Sequence, residues 1–212
     1  MKLTSRTTPS RYANQRMRYE EETIHAILDE ALFCIVSYSI DNQPFAIPTC
    51  FVRKENKIYI HGSVGSHFLR GIELGIPVCI SVMLIDALVV AKSAFNHSVN
   101  YRSVTIFSNA EKVDDYDQKA LFFKELTEKM VPDSWDYLRP MKKSEVDKTM
   151  LLSFEITEAS AKVRVGMPSD DEVDQDLPIW SGLIPIPAQR LTPVPDKGSV
   201  VLELPEHLRN LD

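Results

Sequence analysis

The sequence is short of cationic charge, of cysteine and of long apolar runs. Lysine and arginine number 24 against 30 aspartates and glutamates, a net charge of -6. Coating a nucleic acid needs a basic face that neutralises phosphates, so this balance argues against a nucleic-acid partner. The three cysteines, Cys34, Cys50 and Cys79, each stand in a β-like apolar run. An odd number so placed points to reduced, buried thiols in a cytoplasmic protein rather than to a disulfide framework. No cysteine or histidine pair has zinc-ligand spacing, so no metal site is expected. No apolar run approaches the roughly 20 residues that span a bilayer. The stretch MKLTSRTTPSRYANQRMRYEEE has no apolar core of the secretory kind. The expected setting is therefore cytoplasmic, with no membrane contact.

What is present is ordinary for one globular domain: 44% hydrophobic and 25% charged residues over a length of 212. Residues 1–19 are polar and basic, with Arg6, Arg11, Arg16 and Arg18, and read as an arm. Glu20–Ala31 reads as a helix, with Ile24, Ile27, Leu28 and Ala31 on one face and acidic residues in its first turn. A meander follows. Strands are expected at Phe33–Ser39, Phe45–Arg53 and Lys57–Gly62, separated by the turns IDNQP and KEN. A short helix, His67–Leu74, ends at Gly75 and Pro77. Further strands are expected at Val78–Ile85, Ala87–Lys92, Tyr101–Val113, Met150–Glu158 and Ser160–Val165. Between the last two pairs lies a helix, Asp117–Met130, with Phe122, Phe123, Leu126 and Met130 inward. Mostly β order with hairpin-length connections predicts a mainly β fold, an antiparallel barrel with inserted helices over residues 20–166.

Residues 167–212 differ. They hold seven of the 13 prolines and the acidic cluster Asp170, Asp171, Glu172, Asp174 and Asp176. Proline removes ladder donors, so an extended, irregular segment is expected. The apolar Trp180, Leu183, Ile184 and Ile186 argue that it lies on a surface, of this subunit or of a partner.

Five stretches carry candidate chemistry. In KIYIHGSVGSHFLRGI, His61, Gly62, Ser63, Ser66 and His67 join a strand to a helix. Glycine admits close approach, serine adds hydroxyl donors, and a helix start adds positive potential, which together suit a phosphate. The alternative is a polar turn capped by Ser66. In FAIPTCFVR, Pro48 interrupts an apolar strand. That marks either an edge strand or a bulge whose free backbone meets a flat ligand. In SAFNHSVNYRSVTIF, Arg102 and Ser103 open a long strand, and Arg102 suits either a phosphate or a surface ion pair. In SAKVRVG, Lys162 and Arg164 share one strand face, answering either an anion or the acidic cluster. Trp180 either stacks on a ring-shaped ligand or anchors the arm. No nucleophilic triad or catalytic carboxylate pair stands out.

In order and spacing, IPTCF, IYIHGSVGSH, SAFNHSVNYRSV, ASAKVRVGMP and PIWSGLIP resemble the FMN-binding split-barrel family related to pyridoxamine 5′-phosphate oxidase. The likeness is greatest to its nitroimidazole-reductase-like branch, and it runs from about Arg16 to Pro187. The resemblance implies a six-stranded antiparallel split barrel that forms a homodimer with FMN at the interface. It implies that Ile47, Pro48 and Thr49 run along the isoalloxazine edge. His61, Gly62, Ser63, Ser66 and His67 would hold ribityl and phosphate, and Asn100, Tyr101, Arg102 and Ser103 would close the site. Lys162, Arg164 and Trp180 would reach a flavin, in the same subunit or across the interface. His61 matches a histidine close to flavin and substrate, which implies a catalytic role in donating a proton or hydrogen bond.

The oxidase branch has a basic pair at the positions of His67 and Phe68 and an arginine at the start of the Phe45–Phe51 strand. Both are missing here, and Ser108 replaces a glycine usual in the branch. The expected function is an FMN-dependent oxidoreductase. It would reduce a small aromatic or nitro-type acceptor, with NADH or NADPH as electron donor. The alternatives are a flavin-binding module without turnover and a pyridoxamine 5′-phosphate oxidase.

Overall fold

A computed structural model describes residues 1–7, 14–201 and 203–209; Arg11 lies outside them. The elements are β1 (Met17–Arg18), α1 (Glu21–Glu30), β2 (Phe33–Ile40), β3 (Gln43–Lys54), β4 (Lys57–Ser63), α2 (His67–Ile72) and β5 (Pro77–Val90). After these come β6 (Ser98–Asn109), β7 (Glu111–Val113), α3 (Tyr116–Met130), α4 (Lys143–Asp147), β8 (Thr149–Glu155), β9 (Glu158–Arg164) and β10 (Gly182–Pro185). The fold is mainly β, and the strands pair antiparallel in the order β1-β9-β6-β5-β2-β3-β4-β8-β7, with β10 on β5. β6 runs almost directly into β7, whose partner is β8 near the other end of that order. The continuous segment from Ser98 to Val113 thereby curls the sheet into a split half-barrel.

Among the described residues there are ten strands, not six: seven strands of 7 to 14 residues, and three, β1, β7 and β10, that are short edge pieces of two to four residues. The two strands expected at Val78–Ile85 and Ala87–Lys92 are one strand, β5, with a register shift between Ile85 and Ala87. The bulged residue is Asp86. Its carboxylate receives Arg102 Nη2 at 2.7 Å and its carbonyl receives the Ile186 N–H at 2.9 Å. An acid inside an apolar strand is accommodated by stepping out of the ladder to meet these donors.

Side-chain alternation gives the curled sheet two faces. The inner face carries Cys34, Val36, Phe51, Ile58, Ile60, Ile80, Val82, Val104, Ile106, Ala159 and Ala161, closed by Ile24, Ile27 and Leu28 of α1 and Leu69 and Ile72 of α2. On the outer face, α3 lays Phe122 and Leu126 against Val52 and Leu151. Phe122 and Phe123 pack on this second core as expected, whereas Met130 is exposed at the helix end. The N-terminal residues dock at two places. Lys2 N–H donates to Thr157 O at 2.7 Å, and Arg6 pairs with Glu158.

Lys129, near the end of α3, donates to Leu28 O at 3.0 Å and lies 4.1 Å over the Phe51 ring. Burial pushes its amine down to about 8, partly offset by Asp29. The folded pKa lies below the ordinary lysine value, so folding penalises the charged form below about pH 8, and the penalty fades as pH rises toward about 10. Stability is therefore expected to rise with pH across that window, and Lys129→Met to flatten the rise. Denaturant midpoints at several pH values check this, and an unchanged slope in the variant would assign it to other groups.

Candidate functional site

The split in the barrel begins where β3 leaves β4. The two strands pair from Lys54–Lys57 up to Phe51–Ile60. Beyond that point β3 pairs with β2 alone, and β4 continues with His61, Gly62 and Ser63 against β8 alone. The edges running through Ile47, Pro48 and Thr49 and through His61 and Gly62 thus diverge with no strand between them.

The prolines of β3 fit this edge. Asp41 and Asn42 form a two-residue turn with φ of 51° and 62°, closing on the pair Ile40–Gln43. Asparagine and aspartate are the non-glycine residues that best tolerate this left-handed turn. Counting along the antiparallel alternation, Pro44 and Pro48 fall at pairs whose N and O atoms point away from β2. Neither proline breaks the ladder. On the split side, β3 offers the carbonyl of Pro48 and the N–H and carbonyl groups of Ala46.

The outer sheet face carries most of the expected site. The pairs Ile35–Pro48, Met83–Ser103, Ile85–Tyr101, Ser103–Lys162 and Tyr101–Arg164 all lie on it. His61 is on the same face, under α3. Its ring centroid lies 5.2 Å from that of Phe122 and 5.8 Å from that of Phe123. His61 Nδ1 is buried without a partner among the described residues. Burial holds its pKa below the ordinary imidazole value of 6.5, so the ring is neutral at pH 7. The neutral ring keeps one N–H as a hydrogen-bond donor.

The turn after β4 is built as a capped turn. Ser63 Oγ accepts from Gly65 N–H at 3.1 Å, and Ser66 Oγ accepts from Leu69 N–H at 3.3 Å. Val64 and Ser66 N–H groups donate to Lys148 O and Ser63 O. Three of the turn's amides are thereby engaged internally, and α2, of six residues, has little dipole to offer. The serine hydroxyls and the exposed His67 ring remain as donors. A Cβ at Gly62 would lie 2.8 Å from Leu69 Cδ1, so a larger residue there needs that buried side chain to shift.

Arg102 is not a free anion-binding group. Its fork meets Asp86 at 2.7 Å and Glu30 at 2.8 Å, holding Glu30 below the usual carboxylate range. Of the two sequence readings, the ion pair describes it. Ser103 Oγ donates to Lys162 O at 3.3 Å. Lys162 and Arg164 make no ion pair with the acidic cluster among the described residues. Asp170 instead accepts Lys92 N–H at 2.8 Å, and Lys92 Nζ bonds Gln175 O and Leu177 O. Trp180 is exposed and folds over Gly182, where a Cβ would meet its ring at 2.9 Å. Within the proline-rich segment, β10 lies along Ala87–Val90 of this chain. The partners Glu30, Asp86 and Phe122 as a lid on His61 escape the sequence reading. Only Asp86, an acid amid MLIDALVV, gave a signal.

The comparisons agree with this architecture. The sequence model of the pyridoxamine 5′-phosphate oxidase family matches residues 20–163. The flavocytochrome Anf3 from Azotobacter vinelandii is 37% identical and superimposes with a TM-score of 0.89, over 97% of this chain and 96% of that one. The FAD and heme binding protein from Mycobacterium smegmatis is 30% identical, with a TM-score of 0.86 over 92% and 96% of the two chains. A candidate 5-nitroimidazole antibiotic resistance protein from Bacteroides thetaiotaomicron is 16% identical, with a TM-score of 0.59 over 69% and 86%, and shares the fold. Among curated proteins none matches. A family match over most of the barrel, joined to the split between β3 and β4, places the chain in the pyridoxamine 5′-phosphate oxidase family.

Proposed function

We propose that the protein is a flavin-dependent oxidoreductase whose isoalloxazine ring lies in the split between β3 and β4. The carrying observation is the pair of unpaired edges beyond Phe51–Ile60. A flat ring with polar edge atoms fits backbone groups at Ala46 and Pro48 that have no strand partner. A bound flavin accepts a hydride and passes electrons onward. The chain's own residues bind and orient it, and α3 shields the His61 side of the split from water. Names of two full-length neighbours, a flavocytochrome and an FAD and heme binding protein, support a redox role and a flavin larger than FMN. Nothing in the site selects a nitro group over another small planar acceptor. A pyridoxamine 5′-phosphate oxidase is disfavoured by the missing cations at His67 and Phe68.

A second copy of the chain completes the site. Phe33, Ile35, Met83 and Ile85 are exposed on the outer face beside the split. A contiguous apolar patch next to a ligand cleft suits a twofold interface. The proposal is therefore a homodimer, with NADH or NADPH as donor.

His61 supports a second reading. A neutral imidazole with an unpartnered nitrogen and two phenylalanine neighbours is the form that ligates iron, and both full-length neighbours are named for heme or cytochrome. His61 would then hold a heme beside the flavin. The visible spectrum of the purified protein tests both readings. The expected result is a flavin band that bleaches with NADH or NADPH. An added heme band would favour the second reading. A protein that stays colourless after flavin and heme are supplied would defeat both.

A further inference from the structure

The proline-rich arm is attached to the barrel without entering it. Among the described residues, none of the side chains of 177–186 packs into either core, and Trp180, Ile184 and Ile186 are exposed. Its hold on the barrel is polar and lies at two ends. We propose that residues 177–186 are a detachable strap along the far end of β5, and that Arg102, by holding the Asp86 bulge against Glu30, is its latch.

The upstream end is held by Lys92. Its Nζ donates to Gln175 O and to Leu177 O, the latter at 3.0 Å, while Asp170 accepts its N–H at 2.8 Å. β10 then runs from Gly182, opposite Val90, to Pro185, opposite Ala87. The downstream end hangs on one amide. Ile186 stands between Pro185 and Pro187, which have no N–H, so it supplies the only main-chain donor from 185 to 187. That donor reaches Asp86 O at 2.9 Å. Beyond it the chain turns to another element, where Arg190 Nη2 donates to Met130 O at 3.4 Å.

The position of the Asp86 carbonyl depends on the Asp86 side chain. β2 leaves the edge of β5 after Ser81, and β10 joins that edge only at Ala87, so the bulge lies on an open stretch. Arg102 fixes it from β6. Its Nε lies 3.1 Å from Asp86 Oδ2 and its Nη2 2.7 Å from Oδ1. The same guanidinium reaches the end of α1, with Nη2 2.8 Å from Glu30 Oε1 and Nη1 on Oε2. One arginine thereby joins α1, the β5 bulge and, through the bulge carbonyl, the strap. Few buried apolar contacts and a short polar anchor are the marks of a segment that opens locally while the rest stays folded. Release uncovers the β5 edge at Ala87–Val90 and removes Ile184 from beside Leu88, its exposed cross-strand partner. The strap thus sets how much apolar surface this end of the sheet presents. The latch does not rest on the flavin reading above.

The test is hydrogen exchange, read by mass spectrometry on the full chain as purified, comparing wild type with Arg102→Met. Peptides covering 177–186 are expected to exchange at least about tenfold faster in the variant, since Asp86 loses its charge-assisted bonds and turns to water, taking the anchoring carbonyl with it. Peptides of β2, β3 and β4 should keep wild-type rates. Unchanged exchange of the strap would overturn the latch, and so would an equal acceleration of β2–β4, which marks a general loosening. Glu30→Ala, at an exposed helix end, removes one of the two acids without leaving Asp86 unpaired. It should speed the strap about two- to fivefold, the scale of an exposed ion pair. It decides alone should Arg102→Met fold poorly, and unchanged strap exchange in it then overturns the latch.

Discussion

His61→Ala is expected to lower acceptor reduction by about 10²-fold while flavin content stays at the wild-type level. That is the usual loss for one donor removed from developing charge in a water-poor site. The side chain is placed for such a role, because its ring is neutral, shielded by Phe122 and Phe123, and at the head of the split. In the proposed site flavin is held by backbone edges and by other elements, so the truncation is expected to leave binding intact. In the heme reading the same variant loses its heme band outright. Rapid-mixing reduction with spectra of both chromophores separates the cases, and full activity with all bands retained would remove His61 from both roles. The same burial has a pH signature. The folded pKa lies below 6.5, so the unfolded chain takes up the proton first. Stability is thus lost as pH falls below about 6.5, and His61→Phe should lessen that acid-side loss.

Phe51→Ala is expected to cost about 3–5 kcal/mol, against a typical total stability of about 5–15 kcal/mol. Phe51 is fully buried and forms the last cross-strand pair, with Ile60, before β3 and β4 diverge. Its ring also carries Lys129 at 4.1 Å. Truncation leaves a cavity at the hinge of the split and removes the surface on which a half-buried amine rests. The unfolding midpoint in denaturant measures the loss. A loss under about 1 kcal/mol would mean that neighbours collapse into the space and that the site is not rigidly framed from below.

The barrel was legible because its signals are local. Alternating apolar runs, the DN turn and the capped Ser66 helix each announce themselves within a few residues, and they appear at β2, β3, β4 and α2 as expected. The number of strands was not. Two-residue β1 and four-residue β10 exist only because β9 and β5 offer free edges, which no window of sequence contains. Arg102 shows the same limit at the site. NYRSV reads as a phosphate clamp or, by default, an ion pair, and Glu30, 72 residues away, decides it. His61 was found by resemblance, but the rings packed against it, Phe122 and Phe123, are contributed by a helix some 60 residues downstream.

The position of Pro48 has a consequence for how the protein stays dispersed. An open strand edge is a template on which any passing extended segment will anneal, its own neighbour included. Along the split, β3 presents donors only at every second residue, and at Pro44 and Pro48 that donor is missing. An incoming strand would find a ladder with missing rungs. The cleft is thus kept from zipping shut, and from recruiting foreign chains while newly made and empty, by an edge that a flat ring tolerates and a peptide does not.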